Sequence, residues 1–183
     1  MDVLLAFNPL LTAQHRGGPE HAPEYLRGAP IHHIHPSMDG SLFTFFHSLL
    51  RYAALLTILL AGVLHLQGYL ARRPILNGER SLAIIAMVIC HIQLVIGLLL
   101  YFTTKSYALD SSGATGRFWK MEHIGVMVIA IILVSVGRSL SKRAKDERVK
   151  QLRVWTFYLI ALALMLWATP WPFREIGHGR GWL

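Results

Sequence analysis

Four of the ten histidines in this chain, His47, His65, His91 and His123, stand inside long apolar runs. An ionisable side chain in such a setting is costly and by default marks a function, although a single imidazole also serves as a hydrogen-bonded structural residue. Four in one short chain tip the balance toward chemistry. An imidazole nitrogen binds metal, relays protons or hydrogen-bonds a ligand. The stretch FFHSLLRY adds Arg51 one helical turn after His47, so a nitrogen ligand and a fixed cation share one helix face. Cys90 is the only cysteine, which excludes an internal disulfide, a thiolate zinc site, an iron–sulfur cluster and covalent CxxCH haem attachment. Any cofactor must rest on other residue types.

The elements that position these histidines belong in a membrane. Charged residues are 15% of the chain and hydrophobic ones 54%, whereas a soluble domain carries about 25% charged residues. Four runs suffice to cross a bilayer, which takes about 20 apolar residues. Their expected bounds are 43 to 70, 81 to 103, 119 to 138 and 153 to 171. The expected fold is all-α, an up-down bundle of four transmembrane helices with an irregular N-terminal arm. Residues 1 to 42 form the arm, 43 to 174 the membrane domain and 175 to 183 a short tail. Pro74 and Asn77-Gly78 predict a tight turn between the first two helices, TTKSYALDSSGATG an irregular loop, and SKRAKDERVKQLR a charged link between the last two. Pro170 and Pro172 stop the last helix, with Trp167 and Trp171 placed as interfacial anchors.

Lysine and arginine set the orientation. Arg72, Arg73 and Arg80, with Arg138, Lys142, Arg143, Lys145, Arg148, Lys150 and Arg153, gather at one end of the bundle in two short loops. That end is expected to face the cytoplasm, with both termini outside. The formal charge of +8 is thus a topology signal and a possible attraction to anionic lipid, not a signature of nucleic-acid binding. Residues 1 to 14, MDVLLAFNPLLTAQ, lack the basic start and cleavage site of a signal peptide and read as an interfacial or partner-bound segment. Residues 15 to 40, rich in Gly, Pro and His, have too few spaced apolar residues to fold alone. The arm is therefore expected to lie against another subunit. Its His32, His33 and His35 have zinc or copper as one reading and plain solvated or partner-contacting histidines as the better one.

Within the spans, His47 and His123 fall at nearly equal depth, about 6 Å below the outer boundary. In an up-down bundle the first and third helices are diagonal partners, so these two imidazoles can clamp a flat macrocycle in the manner of bis-histidine haem b. Arg51, Arg117 and Lys120 lie at the same level as candidate partners for haem propionates, and Glu122 as a group that orients an imidazole or balances a cation. The expected iron ligands are His47 and His123. His91, about 10 Å deeper, is the alternative ligand, or a hydrogen-bond partner for a quinone. His65 lies 18 residues after His47 on the same face, about 27 Å away, and reads as structural. Gly62, Gly97 and Gly125 read first as packing positions.

Four motifs carry a family resemblance: HSLLRY from His47, HIQLVIGLLLYF from His91, FWKMEH ending at His123, and TPWPFR ending at Arg174. Over residues 43 to 174 the chain resembles small bacterial integral-membrane proteins of cytochrome b-like type. The resemblance implies one haem b and singles out His47, His91 and His123 without deciding which pair ligates; His65 is not part of the pattern. It implies a bacterial inner membrane, with the termini on the periplasmic side. The leading functional expectation is an electron-transfer or accessory haem b subunit of a respiratory or photosynthetic complex, more a non-catalytic subunit than an enzyme. The alternatives are a quinol-oxidising cytochrome and a cofactor-free structural subunit.

Overall fold

The computed structural model describes residues 38 to 103, 112 to 177 and 182, with 38 to 41 in backbone only. Expectations for the arm, including His32, His33 and His35, lie outside the described residues, as does most of the loop between the second and third helices. Four helices carry the described chain: α1, Met38–Leu70; α2, Asn77–Thr103; α3, Gly113–Arg143; and α4, Glu147–Ala168. All four are long and apolar enough to cross a membrane, and no strand occurs among the described residues. The chain is an all-α, multi-pass membrane protein.

Three seams hold the bundle together. α1 packs along α2 and α4, and α3 packs along α4, while α2 and α3 touch only sparsely. The close seams are lined by small residues at helical spacing, Ala54, Ile58 and Ala61 on α1, Ala83, Ala86 and Cys90 on α2, and Ala130 and Val134 on α3. Lipid is as apolar as leucine, so membrane helices gain from close backbone approach more than from burying bulk. Gly137 is one close approach: a methyl there would stand 2.5 Å from Phe157 Cβ and 3.3 Å from the Arg153 carbonyl oxygen. Large side chains instead point outward. Only 17% of the apolar window of α2 is buried, against 39% for α4, so α2 is the helix with the most surface left for lipid or another chain. Across the bundle core the Tyr158 hydroxyl donates to the Ala83 carbonyl at 2.7 Å, tying α4 to α2.

The helices run further than the sequence suggests. Asn77-Gly78, expected as a turn, opens α2 instead; Glu79 in that first turn accepts from Leu76 N at 3.0 Å and pairs with Arg73. The turn itself is made by Arg72, at φ 52°, and Pro74. The expected charged link is mostly helix. Ser141 to Arg143 finish α3, Asp146 caps α4 by accepting from Val149 N at 2.9 Å, and only 144 to 146 connect them. Lys, Arg and Glu are good helix formers, and at a bilayer boundary their long stems run along the helix while their charges reach water. At the other end Gly113 to Gly116, expected as irregular, begins α3 behind an extended Ser112. α4 stops at Ala168, two residues before Pro170 and earlier than expected, because Pro170 disfavours a helical conformation at Thr169.

Candidate functional site

At the end of the bundle away from the basic loops, the route into α3 is irregular. Phe118–Glu122 forms a π turn, a widening of the helix that recurs at functional sites. It delivers His123 between aromatic rings, with the Phe118 and Trp119 centroids 5.9 and 5.8 Å from its own. The His123 Nδ1 lies 2.9 Å from the Ala168 carbonyl oxygen, one of the carbonyls that the end of α4 leaves without a helical donor. A carbonyl only accepts, so Nδ1 carries the hydrogen and Nε2 keeps its lone pair. That arrangement fixes both tautomer and ring orientation, as in a metal-binding imidazole.

His47 comes from α1 at a matching level. It stands nine residues after Met38 and His123 ten after Gly113, about 14 and 15 Å along their helices. The helices begin earlier than expected, so both imidazoles sit further from the helix ends than the 6 Å read from sequence. They lie within electrostatic range of each other, and both within range of the Arg51 guanidinium. Facing His47, α2 presents Gln93 and Gly97, four residues apart on one face. Gln93 Nε2 donates to the His47 carbonyl at 2.8 Å and approaches its Nε2 at 3.4 Å. A methyl on Gly97 would stand 2.9 Å from His47 Cε1, so glycine is what gives the ring room. Gly62 does serve packing, against Leu159, and Gly125 faces open space.

Three polar atoms here are buried with no hydrogen-bond partner: His47 Nδ1, Gln93 Oε1 and Arg51 Nε. Each such atom costs about 1–3 kcal/mol if it stays unsatisfied, and three at one place call for a ligand, water or ion.

The remaining candidates are distributed unequally. Arg51 Nη2 donates to Tyr52 Oη at 3.0 Å and to the Trp182 carbonyl at 2.8 Å, and its guanidinium lies over the Tyr52 and Trp171 rings. Arg117 pairs with Glu122 at 2.6 Å, so this cation is already balanced. Lys120 is exposed and has no ion pair among the described residues. His91 is apart from the pair: its Nδ1 bonds the Met87 carbonyl at 2.8 Å, and its Nε2 lies 3.4 Å from Ser135 Oγ in the sparse seam between α2 and α3. His65 is buried at the far end, with Nδ1 2.8 Å from the Ala61 carbonyl oxygen.

Sequence reasoning missed Gln93, Tyr52 and the Ala168 carbonyl. Gln93 had a legible signal, a polar amide inside an apolar run. The Ala168 carbonyl had none, because a backbone oxygen is present at every residue. Among the described residues no three His, Cys, Asp or Glu side chains converge as a metal cage; the pair supplies two nitrogens, the number that a macrocycle filling the equatorial positions requires. No protein-family model matches the chain, and neither a curated protein nor a solved structure matches it.

Proposed function

We propose that the chain is a haem b-binding membrane subunit that carries electrons in, or accessory to, a respiratory or photosynthetic complex, with His47 and His123 as the axial pair. The observation that carries the reading is two level imidazoles from helices α1 and α3 within electrostatic range of each other, one preset by the Ala168 carbonyl and the other with its buried Nδ1 unpartnered. The donor set fits haem b. Arg51 and Lys120 are the propionate partners, Arg51 through its unpartnered Nε, while Arg117 neutralises Glu122. When bound, haem supplies a one-electron carrier whose potential responds to its axial ligands and to burial. The residues of the chain hold the imidazoles in register, exclude water with Phe118 and Trp119, and place positive charge beside the carboxylates. The cytochrome b-like motifs support the same reading. So does the placement of the pair at the end opposite the ten basic residues, which is the outer end in the proposed orientation, with both termini periplasmic in a bacterial inner membrane. Residues 1 to 40 are proposed to contact a partner subunit.

A second reading, quinol oxidation, draws on one observation: His91 is an exposed imidazole within a span, beside Ser135 in the sparse seam. A quinol hydroxyl would find there a proton acceptor reachable from lipid. The test is a reduced-minus-oxidised visible spectrum of the full-length protein purified with its partners. The expected result is a b-type signal that survives His91→Ala and is lost in His47→Ala and His123→Ala. Absence of haem from the wild-type complex overturns the electron-transfer reading, and loss in His91→Ala with retention in either of the others overturns the pairing. Inhibition of electron transfer by quinone analogues would support the second reading.

A further inference from the structure

At the basic end of the bundle a cavity of about 210 Å³ opens among all four helices and the turn between α1 and α2. Its lining includes Arg80, Arg138, Lys142 and Lys150, together with Ser141 and the buried His65, and contains no acid. A water occupies about 30 Å³, so the space suits a tetrahedral oxyanion with part of its hydration.

Clustered cations at this end are expected from topology alone, and what sets these apart is how the acids are used. Three acids lie nearby and each is engaged: Glu79 pairs with Arg73, Glu147 with Lys150, and Asp146 caps α4. Arg138 and Lys142 have no ion pair among the described residues, and Arg80 has none within 4 Å although Glu147 lies within its electrostatic range. Arg138 is half-buried within its span, where an uncompensated charge is costly. Three cations line one cavity that has no carboxylate in its lining, and an anion between them relieves their mutual repulsion. Arginine and lysine at a helix-bundle rim, with a serine hydroxyl beside them, suit phosphate oxygens through charge-assisted hydrogen bonds.

We infer that this cavity is a binding site for a phosphate group, held by Arg80, Arg138 and Lys142, with Ser141 and Lys150 at its edge. The phosphate belongs either to the headgroup of an anionic lipid or to a soluble phosphate anion; basic pockets between transmembrane helices take such headgroups. This site is independent of the haem reading.

The test uses the full-length protein in non-ionic detergent, with or without haem. Native mass spectrometry compares retention of phosphatidylglycerol and phosphatidylcholine at equal concentration, and thermal unfolding is followed in inorganic phosphate and in chloride at equal ionic strength. An Arg138→Gln/Lys142→Gln variant is compared with Arg72→Gln/Lys145→Gln, which removes the same charge from exposed positions at the same end. The expected result is a preference for phosphatidylglycerol of about tenfold, lost in the first variant and kept in the second. Equal retention of the two lipids, with stabilisation by phosphate that the first variant lacks, supports the site with a soluble ligand. Equal losses in the two variants, or neither lipid preference nor phosphate stabilisation in the wild type, overturn the inference. If Arg138→Gln fails to fold, Lys142→Gln alone decides in the same way, since its exposed side chain leaves the core intact.

Discussion

The two ends of the bundle solve opposite electrostatic problems. At the end bearing His47 and His123, two cations have defined neighbours, Arg51 on Tyr52 and the Trp182 carbonyl and Arg117 on Glu122, while Lys120 is exposed. The polarity left buried without partners is mostly neutral, an imidazole Nδ1 and an amide oxygen, with the Arg51 Nε beside them. At the other end the three acids are engaged and the leftover groups are cations around a cavity. Neutral nitrogen donors suit a metal centre, and uncompensated cations suit an oxyanion. One short bundle therefore presents two chemically distinct sets of groups, separated by the apolar middle of its helices.

The sharpest way to break this contrast is at His123. His123→Ala removes both the free Nε2 and the bond to Ala168, and the b-type absorbance is expected to fall more than tenfold while thermal unfolding of the basic end, read by phosphate stabilisation, is unchanged. Loss of both signals would show that the ends are coupled. The next largest effect is expected at Gly97 and Gly137, two glycines with different duties. Gly97→Ala forces the His47 ring aside, so haem occupancy should drop with a stability change of about 1–3 kcal/mol. Gly137→Ala drives a methyl against Phe157 and the Arg153 carbonyl, which should cost a similar or larger amount in detergent unfolding while leaving the haem spectrum of the folded fraction intact. If the two variants gave the same spectrum, Gly97 would be a packing position like Gly137.

Smaller effects refine the middle and the basic end. Tyr158→Phe deletes the bond to Ala83 and strands that carbonyl's extra acceptor site; about 1 kcal/mol of stability should be lost, with the absorbance spectrum and phosphate response both retained. Asp146→Ala removes the cap of α4 and should lower stability by about 1 kcal/mol. It leaves Arg138 and Lys142 in place, so lipid preference should persist. Both losses are readable as shifts in the detergent unfolding midpoint. A change in the haem spectrum on capping loss would again argue against independent ends.

Much of this architecture was legible in the residues. A bilayer demands long apolar helices with internally satisfied backbones, so four apolar runs separated by proline, glycine and charge leave little freedom, and helix order with depth is what puts His47 and His123 forward as the proposed pair. Helix ends were less legible. At SKRAKDERVKQLR and Asn77-Gly78, helix propensity and caps extended the helices beyond the apolar runs.

What tertiary structure alone decided was which atoms meet. That the Ala168 carbonyl rather than Glu122 orients His123, that Gln93 and Gly97 rather than His91 face His47, and that Arg80, Arg138 and Lys142 line one cavity depend on the relative rotation and approach of helices far apart in sequence. Apolar periodicity sets which face of each helix turns inward. The final rotation is set by where small residues let backbones come close, and the sum of those contacts across three seams is not written in any one segment.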